Sequence, residues 1–130
     1  MKIVVLADSR KQELLINFCI AYSQQLSTHN LYSTMNTARL VEMGTNLRFI
    51  AIPNDLLGAM NQLTQMAFYN EVDAVIHLRD PLFTSYDQPN PLMEACDRNN
   101  IPYASNLAAA EILVLAISSG GLDWRELVHF

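Results

Sequence analysis

The stretch VDAVIHLRDPL, Val72 to Leu82, constrains the fold more than any other part of the chain. Ala74 to Leu78 form a short apolar run, β-branched at Val75 and Ile76, that stops at an Arg-Asp-Pro corner. A strand buried on both faces of a parallel sheet has this pattern. Pro81 has no N–H for the ladder and pushes Asp80 away from helical angles, so the chain must leave the sheet there. Arg79 and Asp80 therefore stand at the strand's carboxyl end, the edge where open α/β sheets bind ligands, and are read as the lip of a site.

The rest of the chain supplies further strands in alternation with helices. Lys2 to Ala7 is a β-branched run ending in Asp8-Ser9 ahead of a helix whose apolar face is Leu14, Leu15, Phe18, Cys19, Tyr22 and Leu26. Asn30 to Ser33 is expected as a second strand, closed by the polar turn Thr34-Met35-Asn36-Thr37 and followed by a brief helix from Ala38 to about Met43. Leu47 to Ile52 is the third strand, and Pro53-Asn54-Asp55 turns the chain into a helix with the stripe Leu56, Met60, Leu63, Ala67 and Phe68. After Pro81, residues Phe83 to Pro91 read as a loop across the mouth of the site. A helix from Leu92 to about Arg98, a fifth strand from Ile101 to Ser105 and an apolar helix from Leu107 to Ser118 complete the body. The amphipathic tail, Leu122 to Phe130, carries Trp124 and is expected to dock on the body or on another subunit. The pattern predicts a three-layer α/β/α sandwich on a mostly parallel five-stranded sheet.

At 130 residues and 51% hydrophobic content, the chain is expected to form one domain over residues 1–130, able to bury roughly two-thirds of its unfolded surface without disulfides. The net charge of −5 argues against nucleic acid or an anionic membrane as partner, and leaves a small anion open. No apolar run is long enough to cross a bilayer, and a cytoplasmic protein is the simplest reading. Cys19 and Cys96 are far apart and lie in apolar helical patterns, as buried free thiols do. Neither metal-ligand spacing nor a cofactor fingerprint is present, so no cofactor is expected.

Four of the eight Lys and Arg residues, Arg10, Lys11, Arg39 and Arg79, fall at or just past strand carboxyl ends. With Ser9, Thr34 and Thr37 and the N–H groups of helix starts they can form a phosphate or carboxylate pocket; basic residues also favour exposed turns for no other reason. Asp8, Asp55 and Asp80 end strands at the same rim, and for Asp8 and Asp55 helix capping is the simpler role. His77 reads as a hydrogen-bonded core residue, and His29 and His129 as solvent-facing. Without a histidine at the rim Ser9 has no activating base, which speaks against a nucleophilic triad.

The segments ADSRKQELL (Ala7 to Leu15), LYSTMNT (Leu31 to Thr37), DAVIHLRDPL (Asp73 to Leu82) and IPYASNLAAAE (Ile101 to Glu111) together resemble the methylglyoxal synthase family, whose fold is shared with the regulatory domain of carbamoyl phosphate synthetases. The resemblance runs from Lys2 to about Ile117. It implies conversion of dihydroxyacetone phosphate to methylglyoxal and phosphate, no cofactor, and a homo-oligomer. It also implies phosphate contacts from Lys11, Thr34 and Thr37, with Asp8, Asp80 and Asn106 at family positions too; Asn36 and Arg79 at the same rim are expected to join them around the ligand. The family's T-G-T-T-G glycines are Met35 and Ala38 here, which adds Cβ atoms where a backbone meets phosphate. Its histidine after the first strand is Ala7, its loop histidine falls on Asp87, and the aspartate three residues later is Asn90. The family's aspartate base aligns with Met60 without gaps or with Asp55 if the loop is shortened; Asp55 is preferred, because it stands at a strand end whereas Met60 lies within a helix.

Three functions fit. The leading one is a module that binds a small phosphorylated or carboxylated metabolite, with synthase activity lost or weakened. The alternative is an active synthase with Asp55 as base and Asp80 or Asp87 assisting. The third is an oligomeric interaction protein without a small ligand.

Overall fold

The computed structural model describes residues 1–127. Five short runs become strands β1 (Lys2–Ala7), β2 (Asn30–Thr34), β3 (Phe49–Ile52), β4 (Ala74–Leu78) and β5 (Tyr103–Ala104), of which β1, β3 and β4 are apolar and carry β-branched residues. All pairings are parallel, in the order β3-β2-β1-β4-β5. β1 is central, pairing through Ile3 to Ala7 with Ala74 to Leu78, and every residue from Ile3 to Leu6 is buried. The chain leaves β1 towards β2 and β3, then crosses back to β4, so the strand order reverses beside β1. That reversal is where an open sheet leaves a crevice.

Helices α1 (Gln12–Ala21), α2 (Ser23–Ser27), α3 (Met35–Gly44), α4 (Leu56–Phe68), α5 (Pro91–Arg98) and α6 (Leu107–Ser118) complete the three layers. One core joins Ile3, Val5, Ile76 and Leu78 to Leu15 and Phe18 of α1, Val41 of α3 and Leu113 of α6. The other joins Val4, Leu6 and Val75 to Ala59 and Leu63 of α4 and Leu92 and Cys96 of α5. Both thiols, Cys19 and Cys96, are free, and burial pushes each up to about 12.

β4 and α6 have the bounds read from the sequence. The expected turn Thr34 to Thr37 is instead the start of α3: Thr34 ends β2 in extended conformation (φ −69°, ψ 158°) and is itself the helix N-cap. Strand thus passes into helix with no loop. β3 begins at Phe49 rather than Leu47, where the Glu42 carboxylate takes up the Phe49 N–H. β5 shrinks to two residues, since Pro102 has no N–H for the ladder. The tail closes in a 3₁₀ turn, Asp123–Leu127, docked on the body by the buried Arg125; the end of the tail to Phe130, including His129, lies outside the described residues. Among the described residues no helix is long and apolar enough to cross a membrane.

Candidate active site

A cavity of about 490 Å³ opens above the carboxyl ends of β1, β2 and β4. One end is built by the direct passage from β2 into α3. Thr34, Asn36, Thr37 and Arg39 line it, with Thr34 and Thr37 buried. The Thr34 side chain makes no cap hydrogen bond to α3, so the first turn of a ten-residue helix presents its N–H groups beside one guanidinium. Such a start is a ready seat for an anion.

The other end holds Asp8, Ser9, Gln12 and His77. Asp8 was a simple capping candidate, and the structure turns it to other work: it makes no side-chain cap bond. Asp8 Oδ1 lies 3.2 Å from His77 Nε2, and Oδ2 accepts from the Asp80 N–H at 2.7 Å. His77 Nδ1 lies 2.7 Å from the Tyr103 hydroxyl, which accepts from Asn90 Nδ2 at 3.0 Å. The His77 hydrogen bond holds the Asp8 carboxyl below its usual range, against the opposing effect of burial, so Asp8 is ionised at neutral pH. Burial pushes Tyr103 up to about 12, which keeps the proton on its phenolic oxygen. An apolar wall of Leu6, Met35, Leu56, Met60 and Phe83 closes the cavity between the two ends. Among the described lining residues, Asp8 is the sole carboxylate and Arg39 the sole Lys or Arg.

Several expected site residues stand elsewhere. Asp55 is exposed and caps α4, its Oδ1 accepting from the Gly58 N–H at 2.7 Å; the carboxylate is turned to its own helix, while Asn54 and Leu56 beside it line the cavity. Met60 lines it too, because it stands four positions past Leu56, one turn further along the same face of α4. Asp80 is buried and accepts from Arg10 Nε at 2.7 Å and the Leu82 N–H at 3.0 Å. The Leu82 N–H, with Arg10 adding to it, holds its carboxyl below the usual range. It borders a small adjoining recess with Ser9 and Phe83, not the main cavity. Arg79 is drawn away over Tyr86, its guanidinium carbon 4.4 Å from the ring centre, and donates to the Tyr86 carbonyl. Lys11 is outside the lining and acts on Asp80 through its charge. Asp87 is exposed in the loop, and Asn106 caps α6 by accepting from the Ala109 N–H. Asp8, Thr34, Asn36 and Thr37 are the expected residues that the cavity brings together. His77 and Tyr103 were missed; the available signal was an imidazole one residue from the end of a strand whose carboxyl edge already read as a site. Among the described residues no group of three or more His, Cys, Asp or Glu side chains is placed to hold a metal ion.

No protein-family model matches the chain. Its sequence is 43% identical to a methylglyoxal synthase of Caldicellulosiruptor saccharolyticus over 134 aligned residues, covering 99% of this chain and 93% of that one. It is 38% identical to a methylglyoxal synthase of Brevibacillus brevis over 131 residues, covering 99% and 96%. The chain belongs to the methylglyoxal synthase family. Its fold matches that of a methylglyoxal synthase from Elizabethkingia anophelis with a TM-score of 0.78, at 24% identity over 87% of this chain and 76% of the other. The two family glycines replaced here differ in consequence. Met35 lines the cavity and is 54% exposed, whereas Ala38 is buried at 2% and outside the lining. Only the first puts a side chain at the anion seat.

Proposed function

We propose that this chain is an active methylglyoxal synthase, converting dihydroxyacetone phosphate to methylglyoxal and phosphate, with Asp8 as the base. The observation that carries the reading is one ionised carboxylate set across a single cavity from an uncapped helix start and an arginine. The phosphate sits at the first turn of α3 with Arg39, Thr34 and Thr37. The hydroxymethyl carbon then lies towards Asp8, which takes one of its protons as the electron pair moves towards the ketone oxygen. A proton shift from the hydroxymethyl oxygen to the former ketone oxygen leaves the enediolate charge on the first, which expels phosphate by cleavage of the allylic C–O bond; the phosphate takes the proton held by Asp8, and the resulting enol of methylglyoxal gives its O–H proton to solvent as it gains one at its terminal carbon. Positioned general-base catalysis of this kind contributes about 10²- to 10⁴-fold.

The anion-binding module without chemistry is the reading favoured by Ala7, Asp87 and Asn90, which stand where the family resemblance calls for other residues. Two things weigh against it: relatives 36–43% identical carry the synthase name, and Asp8 faces the cavity with an imidazole already beside it. A cytoplasmic setting suits the two free thiols, and assembly into a homo-oligomer suits the exposed Ile112 and Leu115 of α6. The test is to incubate purified protein with dihydroxyacetone phosphate and follow methylglyoxal and phosphate together. Equal release of both at an enzymatic rate is expected. Phosphate or substrate binding without product would leave the module; neither binding nor product would leave the interaction protein.

A further inference from the structure

We infer that His77 is the positioning residue for Asp8, its ring held in one tautomer by a one-way chain of hydrogen bonds that begins at the cap of α5. The inference rests on Asp8 as the working carboxylate of the proposed reaction. Its start is the Asn90 amide, whose Oδ1 accepts from the Met93 N–H at 3.1 Å as the helix N-cap. That bond fixes which way the amide faces and leaves Nδ2 to donate to the Tyr103 oxygen at 3.0 Å. Tyr103, having accepted, gives its own proton to the acceptor within reach, His77 Nδ1 at 2.7 Å. A neutral imidazole that accepts at Nδ1 carries its proton at Nε2, and Nε2 faces Asp8 Oδ1 at 3.2 Å. The Asp80 N–H takes the other carboxylate oxygen. Every donor points towards Asp8, and both of its oxygens are held while lone pairs remain for a substrate proton.

Asn90 is what makes the chain run one way. An aspartate at this position caps α5 equally well but has no proton for Tyr103, whose hydroxyl would then turn to the carboxylate and release His77 Nδ1. His77 and Asn90 thus form a matched pair across β4, β5 and the start of α5. Placing the imidazole on the strand gives this chain a rigid support for its carboxylate, where Ala7 and Asp87 offer none.

The test combines ring-nitrogen spectra of ¹⁵N-histidine-labelled full chain with turnover of three variants. Wild type is expected to show His77 unprotonated at Nδ1 and protonated at Nε2, and Asn90→Asp to shift the ring towards the other tautomer with its melting temperature little changed. His77→Gln, which can still donate to Asp8, should keep kcat within about tenfold. His77→Phe, of similar shape but without a donor, should lose on the order of a hundredfold or more in kcat with little change in KM. A wild-type ring protonated at Nδ1, or a His77→Phe variant as active as wild type, would overturn the inference. Should wild type make no methylglyoxal, the synthase reading falls, while the spectra alone still decide whether His77 donates to Asp8.

Discussion

The two ends of the sheet each pair an aspartate with a nitrogen-bearing side chain, and they are built in opposite ways. At the amino end, Arg125 is 1% exposed. Its five N–H donors reach Asp73 Oδ1, the Asn99, Asn100 and Val72 carbonyls and Asn70 Oδ1. Asn70 and Asn100 adopt left-handed backbone angles (φ 57° and 54°), an uncommon conformation that asparagine tolerates best among non-glycine residues. Asp73 Oδ2 takes the Lys2 N–H. At the carboxyl end, Asp8 is partly exposed and opens onto a cavity with acceptor capacity to spare. A buried guanidinium with every N–H engaged fixes the tail to the body; a carboxylate with acceptor capacity left at a cavity edge can meet a ligand.

Breaking the first pair should cost the fold and spare the site. Arg125→Ala leaves Asp73 buried without this partner, and removing one side of a buried pair costs about 3–5 kcal/mol, measurable by urea unfolding; phosphate affinity of the folded fraction should hold. A midpoint unmoved by Arg125→Ala would mean the tail is not clamped as described. The cavity end should respond in the reverse sense. Arg39→Ala is expected to weaken phosphate binding about tenfold by calorimetry, since a charge-assisted hydrogen bond contributes about 1.5–3 kcal/mol and this side chain is exposed; unfolding should scarcely change. Lys11→Ala should have the smaller effect on binding, and the opposite ranking would return the phosphate to Lys11.

The smallest effect concerns pH. Asp8 is held below its ordinary 3.8, chiefly by His77. Its stabilising contribution is therefore complete above that value and lost as pH falls through the lowered folded one. Wild type should lose more stability than His77→Phe between about pH 5 and pH 2, seen as converging denaturation midpoints. Parallel curves would mean that His77 does not set the ionisation of Asp8.

How far the sequence discloses this molecule differs from layer to layer. β4 and α6 were legible to the residue, because Pro81 stops one and Asn106 starts the other with local chemistry alone. The cavity's anion end was legible as a set of residue types, but Thr34 to Thr37 look like a polar turn until the Thr34 backbone is seen to serve strand and helix at once. The carboxylate end was legible in Asp8 alone. His77 lies in an apolar run that reads as core, and its partners Asp8, Tyr103 and Asn90 come from three separate elements whose meeting depends on strand order. Asp55 is ambiguous in the sequence for a related reason: a strand-end aspartate before a helix is both a plausible base and a good cap, and only the structure shows its Oδ1 accepting from the Gly58 N–H at 2.7 Å.

The most direct test sets Asp8→Asn against Asp55→Asn in the same assay of methylglyoxal release from dihydroxyacetone phosphate. Asparagine caps a helix as well as aspartate does, so Asp55→Asn should fold and turn over as wild type does. Asp8→Asn should fold but lose about 10²- to 10⁴-fold in kcat. Full activity in Asp8→Asn with activity abolished in Asp55→Asn would contradict the account and return the base to the start of α4.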